Sequence, residues 1–174
     1  GYGTVFGDRS YGTPTIGFGY RTELDELGID VSFFNFQFRT SDDSYSTPGA
    51  FAWSLLKLSG LYFVEPAAAR SAYFGGGLSY GGQHFGGSSG GGYYTNPSTY
   101  RSDWSGRGLQ GELTVGYEMA RATSLRVFVQ ADAVLPFYKA TAETYHLASR
   151  LARPTVTTDR RYAPSLVVSI GLGR

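Results

Sequence analysis

Between residues 108 and 119, apolar and polar positions alternate one by one. Leu109, Gly111, Leu113, Val115, Tyr117 and Met119 fall on one face, and Gly108, Gln110, Glu112, Thr114, Gly116 and Glu118 on the other. After a short turn at about 120–123, Leu125, Val127, Val129, Ala131, Ala133, Leu135 and Phe137 alternate with Arg126, Gln130 and Asp132. Near the C-terminal end Tyr162, Pro164, Leu166, Val168, Ile170 and Leu172 alternate with Ala163, Ser165, Ser169, Gly171 and Gly173. A period of two is the signature of a strand with one apolar face. Ile16, Phe18 and Tyr20, and then Ala72, Phe74, Leu78 and Tyr80, repeat it over shorter stretches. Over 28–40 the phase flips, from Ile29 and Val31 to Phe34, Phe36 and Phe38, which predicts a β-bulge near Phe33 and Phe34. A similar slip separates Phe51, Trp53 and Leu55 from Leu56, Leu58, Tyr62 and Val64. A first strand is expected at about 2–8.

Eight strands result, most of them as long as the 9–11 residues that a tilted strand needs to cross a bilayer. The predicted connections alternate in length. Short ones fall at about 22–27, 65–69 and 120–123, and longer ones at 41–50, 86–106 and 140–160, with 9–12 a short exception. Outer-membrane barrels show that alternation, with short periplasmic turns and longer outer loops. No run of 18 apolar residues is present, so no transmembrane helix is predicted. The expected fold is all-β: a closed antiparallel eight-stranded up-and-down transmembrane β-barrel, with residues 1–174 as a single domain.

Composition sharpens this picture. Charged residues make up 17 % of the chain, against about 25 % for ordinary soluble domains. Aromatics reach 16 %, and there are 25 glycines. Tyr20, Tyr62, Phe74 and Tyr117 are expected in one interfacial belt, and Phe38, Phe51, Trp53, Tyr80, Phe137 and Tyr162 in the other. Lys and Arg total 15 against 14 Asp and Glu, which gives no electrostatic case for nucleic acid. The absence of Cys excludes disulfides and thiolate metal sites.

In strand count, loop asymmetry and patterning, the whole chain resembles the small outer-membrane barrels of the OmpA/OmpX type. The resemblance implies a place in a bacterial outer membrane and a non-enzymatic role as structural anchor or surface-interaction protein. It also implies a filled interior without a wide open pore. Expected partners are outer-membrane lipids, lipopolysaccharide and other envelope proteins, within a larger envelope complex or alone; no cofactor is expected. One departure stands out: such proteins usually end on an aromatic residue, whereas this chain ends Ile170-Gly171-Leu172-Gly173-Arg174. Either the natural chain continues or its assembly signal differs.

The alternation assigns Arg21, Asp30, Arg39, Lys57, Glu112, Glu118, Arg126 and Asp132 to the interior. Buried charges require partners. With the 120–123 turn taken as symmetric, Glu118 is expected opposite Arg126 and Glu112 opposite Asp132. The two facing carboxylates then need a cation, with Lys57, Arg39 or Arg21 as candidates. Mutual neutralisation and space filling is the plainer role for these charges, and a gated ion path or binding site the sharper one. Gly75, Gly76, Gly77, Gly81 and Gly82 are expected to permit curvature and make room for bulky neighbours.

Catalytic chemistry finds little support. The two histidines, His84 and His146, are far apart, which makes a poor metal site. Glu143, His146 and Ser149 would line up as acid, base and nucleophile only on a helical turn. An outer-membrane lipid-modifying enzyme is one alternative. A soluble lipocalin-like ligand-binding barrel, with the apolar face turned inward, is the other. The loops offer a surface-recognition candidate in Tyr93, Tyr94, Tyr100 and Trp104, set among Gly and Ser. Arg150, Arg153 and Arg160 are candidates for lipopolysaccharide phosphates, which suit bidentate guanidinium contacts. Each group has a plainer reading as a solvated loop.

Overall fold

The computed structural model describes residues 1–6, 10–37, 50–85, 98–101, 104–147 and 155–173. Among these the chain forms eleven strands: β1 (Tyr2–Phe6), β2 (Ser10–Leu24), β3 (Leu27–Gln37), β4 (Ala50–Phe63), β5 (Arg70–Phe85), β6 (Ser98–Arg101), β7 (Trp104–Met119), β8 (Arg126–Pro136), β9 (Ala140–Leu147), β10 (Thr155–Arg161) and β11 (Ser165–Gly173). Every pairing is antiparallel. Eight strands close a ring in the order β1, β2, β3, β4, β5, β7, β8, β11 and back to β1. These correspond to the eight strands expected from the sequence, seven of them on alternation and the first, at about 2–8, without it.

Both phase slips are register shifts. Between Ile16 and Phe18 of β2 the partner position moves from Phe36 to Phe33, so β3 carries an extra residue there. Between Ser54 and Leu56 the β5 partner moves only from Gly81 to Tyr80, which leaves Leu55 as the extra residue of β4. Leu55 and Leu56 are accordingly both exposed. The link from β2 to β3 is only Asp25 and Glu26, with Asp25 in the left-handed region (φ 54°) that Asp tolerates better than most residues.

The structure corrects the loop assignments. Residues 140–160 are not one open loop, because β9 and β10 pair from Ala140↔Arg161 to His146↔Thr155. This hairpin prolongs β8 and β11 beyond 137–139 and 162–164, and β6 joins its other edge. Ser105↔Thr141 ties it back to β7. The register between β7 and β8 is also two residues off the symmetric turn: Glu118 faces Phe128, and Asp132 faces Thr114.

Large apolar side chains point outward and polar ones inward. Phe18, Tyr20, Leu58, Phe74, Leu113, Val115 and Ile170 are exposed, whereas Lys57, Ser59, Ser79, Gln110, Glu112, Thr114 and Asp132 are buried. The inner side is not wholly polar. At the end with the short connections Leu61, Phe63 and Tyr73 form a buried cluster, with the Phe63 and Tyr73 rings 5.3 Å apart. Toward the other end Ala52, Trp104, Ala140, Ala142 and Ala163 form a second. Tyr73 fits because its cross-strand partner is Gly116, where a Cβ would lie 2.3 Å from the Tyr73 ring. Gly116→Val is expected to cost about 1–3 kcal/mol by overpacking. Adding Tyr73→Ala should relieve that clash, as urea unfolding of the single and double variants would show.

Candidate functional site

β2, β3, β4, β7 and β8 place ionisable side chains on the inner side of the ring because each keeps the same strand parity there. The chain of contacts starts at Lys57, whose Nζ lies 2.6 Å from Asp132 Oδ1 and 2.9 Å from Glu112 Oε2. Asp132 also accepts from the Thr114 hydroxyl (2.6 Å) and from Gln130 Nε2 (2.8 Å). Gln130 Oε1 accepts in turn from the Tyr73 hydroxyl (2.8 Å) and from Arg21 Nη2 (3.2 Å). Arg21 donates from Nη2 (2.9 Å) and Nε (3.1 Å) to Asp30 Oδ2, and Asp30 Oδ1 accepts from Ser32. The Arg21 guanidinium also stands 4.8 Å over the Tyr73 ring.

A second group gathers at the short-connection end. Glu118 lies 3.3 Å from Arg121, 3.4 Å from Arg126 and 3.8 Å from Arg21. Glu23 bridges the same two arginines, at 2.6 Å to Arg121 and in contact with Arg126. Arg121 stacks 4.3 Å over Phe63. Lys57 and Glu112 are about as buried as side chains become, at 3 % and 2 % exposure. Charges so placed persist only in mutual contact.

Seven of the eight interior charges expected from the sequence meet here, and Arg39 lies outside the described residues. Glu118 and Arg126 touch diagonally rather than as opposite residues. Glu112 and Asp132 do share a cation, and it is Lys57. Sequence reasoning missed Glu23 and Arg121. Glu23 keeps the parity of Arg21 and was legible by extending β2 one more repeat. Arg121 sits in a turn, where no periodicity marks direction.

The loop candidates fare differently. Trp104 is not a surface residue: it is 4 % exposed, with Arg161 4.9 Å over its ring. Tyr100 lies in β6 opposite Tyr145 rather than in an irregular loop. Tyr93, Tyr94, Arg150 and Arg153 lie outside the described residues. Arg160 is exposed on β10. β9 runs through both Glu143 and His146 as a strand, so the helical spacing that would align them with Ser149 is absent; Ser149 is outside the described residues.

A cavity of about 520 Å³ lies beside the network, against β2 and β11. It is lined by Arg21, Asp30, Gln130 and Asp132 of the network and by the β2 and β11 edges, Gly17 and Gly19 on one and Gly171 and Gly173 on the other. No group of three or more His, Cys, Asp and Glu suited to a metal occurs among the described residues. No protein-family model, curated protein or solved structure matches the chain.

Proposed function

We propose that the ring is a non-enzymatic β-barrel of a bacterial outer membrane that anchors a surface-exposed hairpin and loops, and that its interior is plugged by ion pairs. The observation that carries this reading is the inverted distribution of polarity. Leu58, Leu78, Leu109, Leu113, Val115 and Ile170 are exposed around a closed ring, while Lys57, Glu112 and Asp132 are buried inside it. In water such an outer surface would be an aggregation liability. In hydrocarbon it is the favourable one, and the ring pairs most of the backbone along its strands, apart from the β2 and β11 edges beyond β1.

Tyr20, Tyr62, Phe74 and Tyr117 are exposed near the short-connection end, and Phe137 and Tyr162 near the other, which supports two interfacial belts. A lipocalin-like barrel needs an apolar interior, and the charged lining argues against one. Lipopolysaccharide phosphates remain the proposed partners of Arg160 and of the basic segment around it.

The test is fractionation of cells with boiled and unboiled samples run side by side, followed by single-channel recording of the purified protein. A membrane-bound band whose mobility changes on boiling, with no large stable conductance, is the expected result. A detergent-independent soluble protein would overturn the membrane reading, and steady large conductance would overturn the plug.

A further inference from the structure

The ring is closed over only part of its height. β1 lies between β2 and β11, and its pairing with β11 runs from Tyr2↔Val168 to Val5↔Ser165. On the β2 side it spans Tyr2↔Pro14 to Phe6↔Ser10, and one further exchange joins Gly1 to Thr15, with Thr15 N donating at 2.7 Å and the Gly1 amine at 2.9 Å. β2 continues to Leu24 and β11 to Gly173. No described strand pairs with these facing edges beyond Gly1.

The alternation of an antiparallel ladder says which groups are left over. Because Thr15 exchanges both bonds with Gly1, the next β2 positions aimed at the gap are Gly17, Gly19, Arg21 and Glu23. Because Phe6 N donates to Pro164 O, the β11 positions aimed there are Ile170 and Leu172. Phe18, Tyr20, Ile170 and Leu172, which flank the gap, are 69 %, 71 %, 72 % and 69 % exposed. The cavity described above reaches both edges from within.

We propose that the gap is a strand-acceptor site, and that its occupant is an extended stretch of polypeptide running directly into Gly1. The two free edges and their shared register carry this, not the position of the first residue. Such a strand is antiparallel to β2 and β11 at once and collinear with β1. The register places Gly1 opposite Ser169, so the four positions ahead of it face Ile170, Gly171, Leu172 and Gly173 on one side. They face Ile16, Gly17, Phe18 and Gly19 on the other, and five more positions reach Leu24. The position next to Gly1 points outward beside Ile16, and the one before it points into the cavity. Apolar and small or polar residues should therefore alternate in that order. The cost of leaving open edges in hydrocarbon rests on the membrane reading above; the register does not.

The test compares the present chain with one carrying nine residues fused ahead of Gly1, Val at each outward position and Thr at each inward one. Both are folded in detergent micelles and checked for heat-modifiable mobility, which tests the closed-barrel reading separately. Amide hydrogen exchange is then read by NMR at Gly17, Gly19, Ile170 and Leu172. The fused strand is expected to slow these four amides by about a hundredfold or more and to leave those of β7 unchanged. Fast exchange in the fused protein, or slow exchange already in the present chain, would overturn the proposal. Intact-mass analysis of the polypeptide purified from its native membrane gives the second reading. Four or more residues ahead of Gly1 are expected. A native chain that starts at Gly1 would overturn the proposal, including one whose gap is filled by a strand from another protein.

Discussion

Replacing Lys57 with Met is expected to lower the unfolding free energy in micelles by about 3–5 kcal/mol, the range for a buried ion pair that loses one member. The side chain that remains fills similar space, so the loss is electrostatic rather than a cavity effect. Asp132 keeps bonds from Thr114 and Gln130. Glu112 loses its ammonium partner, and its Oε1 already lacks a hydrogen bond among the described residues. The triple variant Lys57→Met, Glu112→Gln, Asp132→Asn removes all three charges and should recover most of the loss. Urea titration followed by unheated gel mobility measures both. A single variant within about 1 kcal/mol of the parent would mean that the carboxylates are hydrated, and the plug would lose its basis.

Gly77→Val is the second large effect, expected at about 3 kcal/mol. A Cβ at this position would lie 2.1 Å from the Leu58 carbonyl oxygen and 2.5 Å from Ser59 Oγ. The first neighbour is backbone in the paired strand, so relief requires β4 and β5 to move apart. Combining Gly77→Val with Ser59→Gly should therefore recover little. This differs from Gly116→Val, where the obstruction is the Tyr73 ring and truncation removes it. A full rescue by Ser59→Gly would show that side-chain crowding, rather than strand approach, makes this position need glycine.

The two glycines illustrate what could be read in advance. Their presence in a strand signalled a close approach by something, but only the structure distinguishes a carbonyl at Gly77 from an aromatic ring at Gly116. Period-two alternation placed seven of the eight ring strands, β1 showing little of it, and the flips at Phe33–Phe34 and Leu55–Leu56 located both bulges, because one face had to stay apolar. The inner aromatics were hidden for the same reason. Residues 61–64, Leu-Tyr-Phe-Val, are apolar at every position, so although the parity of Tyr62 and Val64 leaves Leu61 and Phe63 inward, no polarity contrast marks them there. β9 escaped because its buried positions, Ala140 and Ala142, are small and the positions between and after them are the half-buried Thr141 and the exposed Glu143. That alternation carries almost no hydrophobic signal. The β7–β8 register was missed by two residues because the turn extends to Leu125 rather than Thr123.

The contacts that cross the ring also set an order of events in folding. Lys57 on β4 meets Asp132 on β8, 75 positions away, and Arg21 on β2 meets Gln130, 109 positions away. Neither pair is adjacent in the sheet, so hairpin formation between neighbouring strands brings neither together. The first needs β4, β5, β7 and β8 assembled, and the second needs β8 brought round through β11 and β1 to β2, so both are expected to form late, after long loops of chain have closed. Interactions absent from the transition state act on the escape rate rather than the arrival rate. The charge network is therefore expected to act as a kinetic latch: weakening it should shorten the lifetime of the folded ring and leave the speed of its assembly nearly unchanged, as unfolding and refolding rates of the Lys57→Met variant would show.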